Sequence, residues 1–473
     1  MAPSPVSHSA GSASGVTAAA ASRAAAPRAL AGLKVIDLTH YVAGPYATKL
    51  MAGFGAEVIK IERPPAGDPM RQAGPFVDSD ALRGDDALRD GDALRGDALR
   101  GDDALGSGSV GSDVAGIAAV GDAASGDATS GDRVTGERSI PFLWLNTGKQ
   151  SVTLNLKSPE GVALLRRLVD EADVLVENFS PRVMPSLGLD YESLRKTNPR
   201  LVMASISNFG QSGPYRDWRA DEIELYAMGG AMHLTGEPQR EPLGPGVAVS
   251  QYTAAVSAYT AVLMALWERE RDGEGQAIDV PILQNVLDLI ETNLADHLER
   301  GVVGRRGPHT FTPWGLFACR DGYVSVIGAP FRHWPRCAEM FEDARLLDDD
   351  LRIARHRSQR RDEITALMKP WLERHDRHDI FARAIDRDLA FGYLASLEEV
   401  VRSPQHRARE FFVEFDHPVA GRLPYSGAPF RMSATPWQNL RAPLLGEHNE
   451  SILGERLGCS AAELAQWRQQ GVI

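Results

Sequence analysis

The sequence predicts an α/β protein: a doubly wound, mainly parallel sheet in a large domain, joined to a smaller α+β domain. Three observations carry that prediction. Short apolar runs alternate with helical segments in two blocks, at 33–63 and 151–205. Each helical segment between two runs is long enough to cross over, which forces parallel pairing. From residue 301 onward the alternation stops, and helices are followed by extended pieces.

The elements follow in order. Residues 34–38 (KVIDL) form a short apolar run, as in a buried parallel strand. A loop at 39–44 leads to Pro45, which suits a first helical position. Leu50, Met51 and Phe54 give that helix an apolar side, and Gly53 or Gly55 can end it. Residues 57–61 make the second strand, and 151–156 the third. Ser158 then caps a helix with Pro159 in its first turn, and Val162, Leu165, Leu168, Val169 and Ala172 recur at helical spacing. Strands are expected at 173–177 and 201–205, and helices at 253–271 and 281–300, with Asp279 as an N-cap. The small domain should hold helices at 334–341 and 361–374, with Trp314 and Phe317 in its core. Extended segments at 422–424 and 429–432 and a helix at 460–469 complete the chain. The domain plan is a tail at 1–30, a large domain at 31–76 and 139–300, and an insert at 77–138. A small domain at 301–420 and a segment at 421–473 returning to the large domain follow.

Composition narrows the function. The chain has 473 residues and a net charge of −12. Residues 77–138 hold thirteen Asp and one Glu against six Arg, a net of −8, with twelve glycines and no aromatic residue. DALR recurs there from Asp80, Asp86, Asp92 and Asp97. Such a segment cannot bury enough apolar area to offset its chain entropy, so it reads as a surface-loop expansion, or alternatively a docking segment. The first 30 residues lack the apolar stretch of a secretory signal. They read as a disordered tail or, with Arg23 and Arg28 and no acid, a transit-like segment. The remaining body is nearly balanced, with no basic stripe for nucleic acid. Cys319, Cys337 and Cys459 are too scattered for a disulfide framework and form no C-x-x-C, so no metal site is expected. The apolar stretch 247–267 is broken by Ser250, Gln251, Tyr252, Thr253, Ser257 and Thr260. It reads as a buried helix and not a membrane span, in a cytoplasmic protein.

The loop after the first strand is where a doubly wound sheet takes ligands. Here it runs Thr39-His40-Tyr41-Val42-Ala43-Gly44-Pro45 and is not G-x-G-x-x-G, which argues against a dinucleotide. His40 reads either as a ligand contact or as a loop residue bonded to backbone. Arg63 and Lys157, at strand ends, could hold a phosphate or simply be solvated. Asn178 and Phe179 offer an amide and an aromatic face to a base or a pantetheine arm. Asp221 and Glu222 precede a Gly-rich segment. They could do nucleophilic or acid–base work, or be an acidic pair favoured by a helix dipole.

Six segments in one order then resemble a known family: VIDLTHYVAGPYATKLMAGFGAEVIKIER, NTGKQSVTLNLKSPEG, DVLVENFSPRVM, NFGQSGPY, GEGQAIDV and APLLGEH. Together they are similar to CoA-transferase family III, the group of formyl-CoA transferase, carnitine CoA-transferase and α-methylacyl-CoA racemase. The resemblance covers about 30–472 except the insert. It implies a Rossmann-like large domain, a small domain and two chains interlocked as rings. It also implies acyl-CoA and a carboxylic acid as substrates, with no tightly bound cofactor. By resemblance, His40, Tyr41, Val42 and Ala43 surround the nucleotide and pantetheine. Arg63, Leu154 and Lys157 lie near the adenine-phosphate end, with Asn178 and Phe179 nearby. A family contact that is usually Arg falls on Ser186.

The resemblance also locates a departure. The family's catalytic Asp opens the long helix, attacks the acyl-CoA thioester to give a mixed anhydride, and then carries CoA as an enzyme thioester. Counted back from Ala265-Leu266-Trp267, that position is Gln251. A neutral amide cannot form that anhydride, though it can hydrogen-bond a thioester oxygen or a carboxylate. Glu222 falls where the family has an acid beside the site. Asp221 falls where Tyr, or His in the racemases, is common, so the racemase His–Asp pair is missing. Three functions stay open: the Asp-lacking subunit of a hetero-oligomeric transferase, a self-sufficient transferase using Glu222 or Asp221, and an acyl-CoA-binding protein without turnover.

Overall fold

The computed structural model describes residues 28–77, 136–307, 311–328 and 332–473. The readings made for the first residues and for most of the insert lie outside these. Six parallel strands form one sheet in the order β3-β2-β1-β4-β5-β6. They are β1 (Lys34–Leu38), β2 (Glu57–Glu62), β3 (Gln150–Thr153), β4 (Val174–Glu177), β5 (Val202–Ser207) and β6 (Ala277–Pro281). The chain winds outward from β1 to β3, returns to the centre at β4, and winds outward again.

Side-chain alternation explains why the sheet is covered on both faces. The register aligns Val58, Val35, Val174 and Val202 in a row across four strands. That row packs under α1 (Ala43–Gly53) and the long helix α4 (Val249–Asp272), through Ala47, Met51, Ala254, Ala258 and Val262. One residue further along each strand, Ile59, Ile36, Leu175 and Met203 face the opposite side. They pack with Leu165 and Leu168 of α2 (Pro159–Asp170) and with Ile452 and Leu453 of the C-terminal segment. Ser158 caps α2 by accepting from the Gly161 amide, as the sequence suggests. Gly55, at φ 100°, ends α1: its amide reaches the Ala52 carbonyl while that of Ala56 reaches Met51. Helix α4 is long and apolar enough to cross a membrane by length and composition. Its Ala254, Ala258 and Val262 instead line the core beneath the sheet.

Several expectations need correction. β6 was not foreseen, because only Val280 of its five residues is buried, so it shows no apolar run. Asp279 is not an N-cap: it lies within β6 and accepts from the Gln211 amide at 2.9 Å. The helix expected at 281–300 is two, Ile282–Asp288 and Glu291–Arg300. Residues 429–432 form no strand. The segment at 421–426 pairs instead with β10 (Phe412–His417), as β11 (Gly421–Ser426) of a hairpin. Tyr425 and Ala420 of that hairpin pack with Met70 and Phe142 of the large domain.

The small domain pairs β7 (Trp314–Cys319), β8 (Gly322–Ile327) and β9 (Phe391–Tyr393) antiparallel. Trp334, Phe341, Met368 and Trp371 fill its core, with Phe317 at the margin. Trp314 lies outside that core and stacks near Phe311, ring centroids 6.1 Å apart. The C-terminal segment covers the outer edge of β3. Thr153 N donates to Asn449 Oδ1 (2.9 Å), and the His448 amide donates to the Ser151 carbonyl (2.9 Å).

The insert leaves the fold through a clamp. Phe76 bridges to Ser139, and the Val77 amide donates to the Arg138 carbonyl at 2.9 Å. Glu137, just before that clamp closes, is buried and pairs with Arg71 at 2.7 Å. An excision of the insert that spares the core therefore keeps residues 136–138.

Candidate functional site

The chain reverses its winding between β1 and β4, and doubly wound sheets take their ligands at the carboxyl ends of such strands. Two loops meet there. The His40 amide donates to Asn178 Oδ1 at 2.8 Å, and Asn178 Nδ2 donates back to the His40 carbonyl at 2.8 Å. The His40 ring meets the Phe179 ring edge-on, centroids 5.3 Å apart. Burial, helped by the Lys60 charge, holds the His40 imidazole below its usual range, against the pull of Asp68, Asp37 and Glu62. His40 is thus tied into the fold through its backbone, and the residue as a whole is partly buried.

Beneath this loop lies a layer of buried charge. Asp37 accepts from the Thr39 amide and hydroxyl, from Thr48 Oγ1 and from Lys149 Nζ. Burial opposes its ionisation, but Lys149, Lys60 and the Thr39 hydroxyl outweigh it and hold the carboxyl well below the usual range. Lys60 Nζ donates to the Thr39 carbonyl at 2.7 Å and pairs with Asp68 at 2.8 Å. Asp68 accepts in turn from the amides of Tyr41 (3.4 Å) and Met70 (2.9 Å). Arg71 grips Glu62 with two nitrogens, at 2.7 and 2.8 Å. Burial again opposes ionisation, yet Arg71 and Lys60 bring the Glu62 carboxyl down to about 2. None of these buried groups was singled out from the sequence. A local signal is the strand EVIKIE, which sets Lys60 and Glu62 at alternate positions among Val58, Ile59 and Ile61.

The other wall is the first turn of α4. Glu222, which opens α3 (Glu222–Met228), accepts from the amides of Ser250 (2.8 Å) and Gln251 (3.3 Å). Its carboxylate therefore caps the helix that carries Gln251. Asp221 is partly buried, and its amide donates to Glu224 at 2.9 Å. Burial, with the charges of Glu224 and Glu222, pushes the Asp221 carboxyl upward. The Tyr41 phenol is raised too, first by burial and then by the charges of Asp68 and Asp221. A contact between the Tyr46 and Tyr252 rings, 4.9 Å apart, joins α1 to α4 beside them.

The other sequence-derived residues distribute as follows. Val42 and Ala43 are buried at the start of α1. Arg63 and Lys157 are exposed just beyond β2 and β3. Leu154 turns its side chain into the core, so only its backbone is available at that end. Ser186 is exposed, and its hydroxyl donates to the Val183 carbonyl. His448 docks the tail: the Ser151 amide donates to its Nδ1 at 3.2 Å. A buried acid not foreseen is Glu177, at the end of β4. Burial raises its carboxyl to about 7, despite hydrogen bonds from Ser205 and the Phe179 amide, and Asp279 adds to the rise. Among the described residues, no group of three or more His, Cys, Asp or Glu could hold a metal ion.

A doubly wound parallel sheet that reverses its winding between β1 and β4 defines an α/β protein of the class that binds ligands at a topological switch point. Within that class the chain belongs to CoA-transferase family III, whose model matches residues 30–88 and 115–449. It is 30% identical to a succinyl-CoA–D-citramalate CoA-transferase of Chloroflexus aurantiacus, over 94% of this chain and 98% of that protein. A formyl-CoA:oxalate CoA-transferase of Streptomyces coelicolor is 29% identical, over 94% and 99%. The alpha subunit of a succinyl-CoA–L-malate CoA-transferase of C. aurantiacus is 30% identical, over 94% and 92%. Among solved structures, a CAIB/BAIF family protein from Brucella suis superposes with a TM-score of 0.72. It is 28% identical, covering 90% of this chain and 99% of that one. The chain is a CoA-transferase by family, and its substrates are accordingly CoA thioesters.

Proposed function

We propose that this chain is the Asp-lacking subunit of a hetero-oligomeric CoA-transferase, moving CoA between an acyl-CoA thioester and a carboxylic acid in the cytoplasm. The observation that carries the reading is Gln251 in the first turn of α4, where the family resemblance sets the nucleophile. The nearest carboxylate to it is already engaged, since Glu222 accepts from the Ser250 and Gln251 amides. A carboxylate held as a helix cap has its oxygens directed at N–H donors and not at a thioester carbon. That weighs against the self-sufficient reading through Glu222. Asp221, partly buried and with its carboxyl pushed upward, is the remaining candidate for it.

In this reading CoA lies along His40, Tyr41, Val42 and Ala43, with Asn178 and Phe179 beside it and Arg63, Leu154 and Lys157 at the nucleotide end. The Gln251 amide hydrogen-bonds an acyl oxygen or a bound carboxylate, and an Asp-bearing family III chain supplies the covalent step. Two features support a partner chain. One relative of similar length is itself named an alpha subunit. Helix α4 also leaves Val256, Met264 and Trp267 exposed along one face, an apolar stripe of the kind that another chain covers. The same stripe would serve a homodimer of interlocked rings. The test is to purify the chain alone and together with an Asp-bearing family III chain. CoA exchange only in the mixture is expected. Full exchange by the lone chain, with borohydride trapping a CoA thioester on Asp221 or Glu222, would favour the self-sufficient enzyme. CoA binding without exchange in any mixture would leave the binding protein.

A further inference from the structure

We propose that Lys60 and Asp68 are positioning residues of the CoA site, which fix the backbone of the β1–α1 loop and thereby aim His40. The inference rests on the CoA reading above. Both side chains are fully buried, so neither touches a ligand. Lys60 Nζ holds the carbonyl of Thr39, and Asp68 Oδ1 holds the amide of Tyr41. The residue between them is His40, whose own amide and carbonyl are both tied to Asn178. Three successive loop residues are therefore fixed by side chains of β2, of the turn that follows β2, and of the loop after β4.

The loop needs this restraint because Tyr41 sits at φ 65°, a left-handed shape that residues with a side chain rarely adopt. That turn directs the chain into α1. Gly44 follows so closely that a Cβ there would lie 2.2 Å from the Thr39 side chain. An apolar pair in place of Lys60 and Asp68 could fill the same space, yet it could not hold one carbonyl and one amide of the loop. The pair is itself anchored, since the Asp68 amide donates to Glu62, which Arg71 grips.

Calorimetry with CoA on the full-length chain, in the oligomer in which it purifies, separates positioning from mere stability. Asp68→Ala is expected to weaken CoA roughly tenfold to a hundredfold while circular dichroism shows a folded chain. Asp68→Asn keeps an acceptor for the Tyr41 amide but loses the charge, and should fall between. The deciding measurement repeats each change in a Tyr41→Gly background. Glycine takes φ 65° without help, so there the loss should shrink to within about threefold. Equal fold-losses in both backgrounds, or unchanged affinity in folded Asp68→Ala, would overturn the proposal. If Asp68→Ala does not fold, the Asp68→Asn pair makes the same comparison. A wild-type chain that binds no CoA overturns the CoA reading and this inference together. A binding wild type beside an unaffected variant overturns the inference alone.

Discussion

The carboxyl edge of the large sheet and the core of the small domain bury different chemistry. At the sheet edge, Asp37, Lys60, Glu62, Asp68, Arg71, Glu137 and Lys149 are all buried. In the small domain the buried side chains are apolar, with Trp334, Phe341 and Trp371 the largest. Arg357 is the one buried charged residue among those described from 311 to 411. It stacks on Trp334 and donates to the carbonyls of Thr312 and Leu351. Other charges there pair at the surface, as Arg360 does with Glu363. Buried ions are costly, and hydrophobic replacements often serve stability as well or better. Two of them, Lys60 and Asp68, hold the backbone of the loop after β1. The small domain needs only to stay packed.

The comparison breaks most readily at Arg71. Arg71→Met leaves the Glu62 and Glu137 carboxylates buried without their partner. It should lower unfolding free energy by about 3–5 kcal/mol in urea titrations. A loss below about 1 kcal/mol would show that the buried layer is not coupled as described.

A smaller effect of opposite sign is expected at Glu177, which has a raised carboxyl and no basic partner among the described residues. A raised pKa favours the folded protein while the group is protonated. That contribution is complete below the unfolded value of 4.5 and is lost as pH rises through about 7. Glu177→Gln should therefore gain roughly 2–3 kcal/mol at pH 8 and little at pH 4. A gain independent of pH would refute the assignment. Glu62 works the other way: its stabilisation is present above 4.5 and is lost as pH falls toward 2. The smallest effect belongs to the surface of the small domain. Glu363→Gln should leave the thermal midpoint unchanged, and a clear drop there would blur the contrast between the two regions.

How much of this could be read in the sequence follows from where the forces are local. β1, β2, β4 and β5 were legible because both faces of each are buried, which produces short segments rich in Val, Ile, Leu and Met. β6 was not, being largely exposed. The loops of the site were legible as strand ends. That His40 and Asn178 hold each other was not, because they stand 138 residues apart. Glu222 looked like a possible nucleophile until its distant acceptor role for α4 appeared. The buried charges at positions 60 and 62 resemble the solvent face of an alternating strand, and only tertiary packing reveals them as interior.

The clamp at Phe76 and Ser139 has one more consequence. β1 and β2 precede it, β3 and β4 follow it, and yet the sheet seats the first pair between the second. A chain cut anywhere within 78–135 would divide into two fragments, one carrying the middle of the sheet and the other its flanks. His40 would travel with the first and Asn178 with the second, so neither piece would hold the hydrogen-bonded pair. The molecule thus offers a ready site for a split reporter, in which the six-stranded sheet is restored only when two fused partners bring the fragments back together.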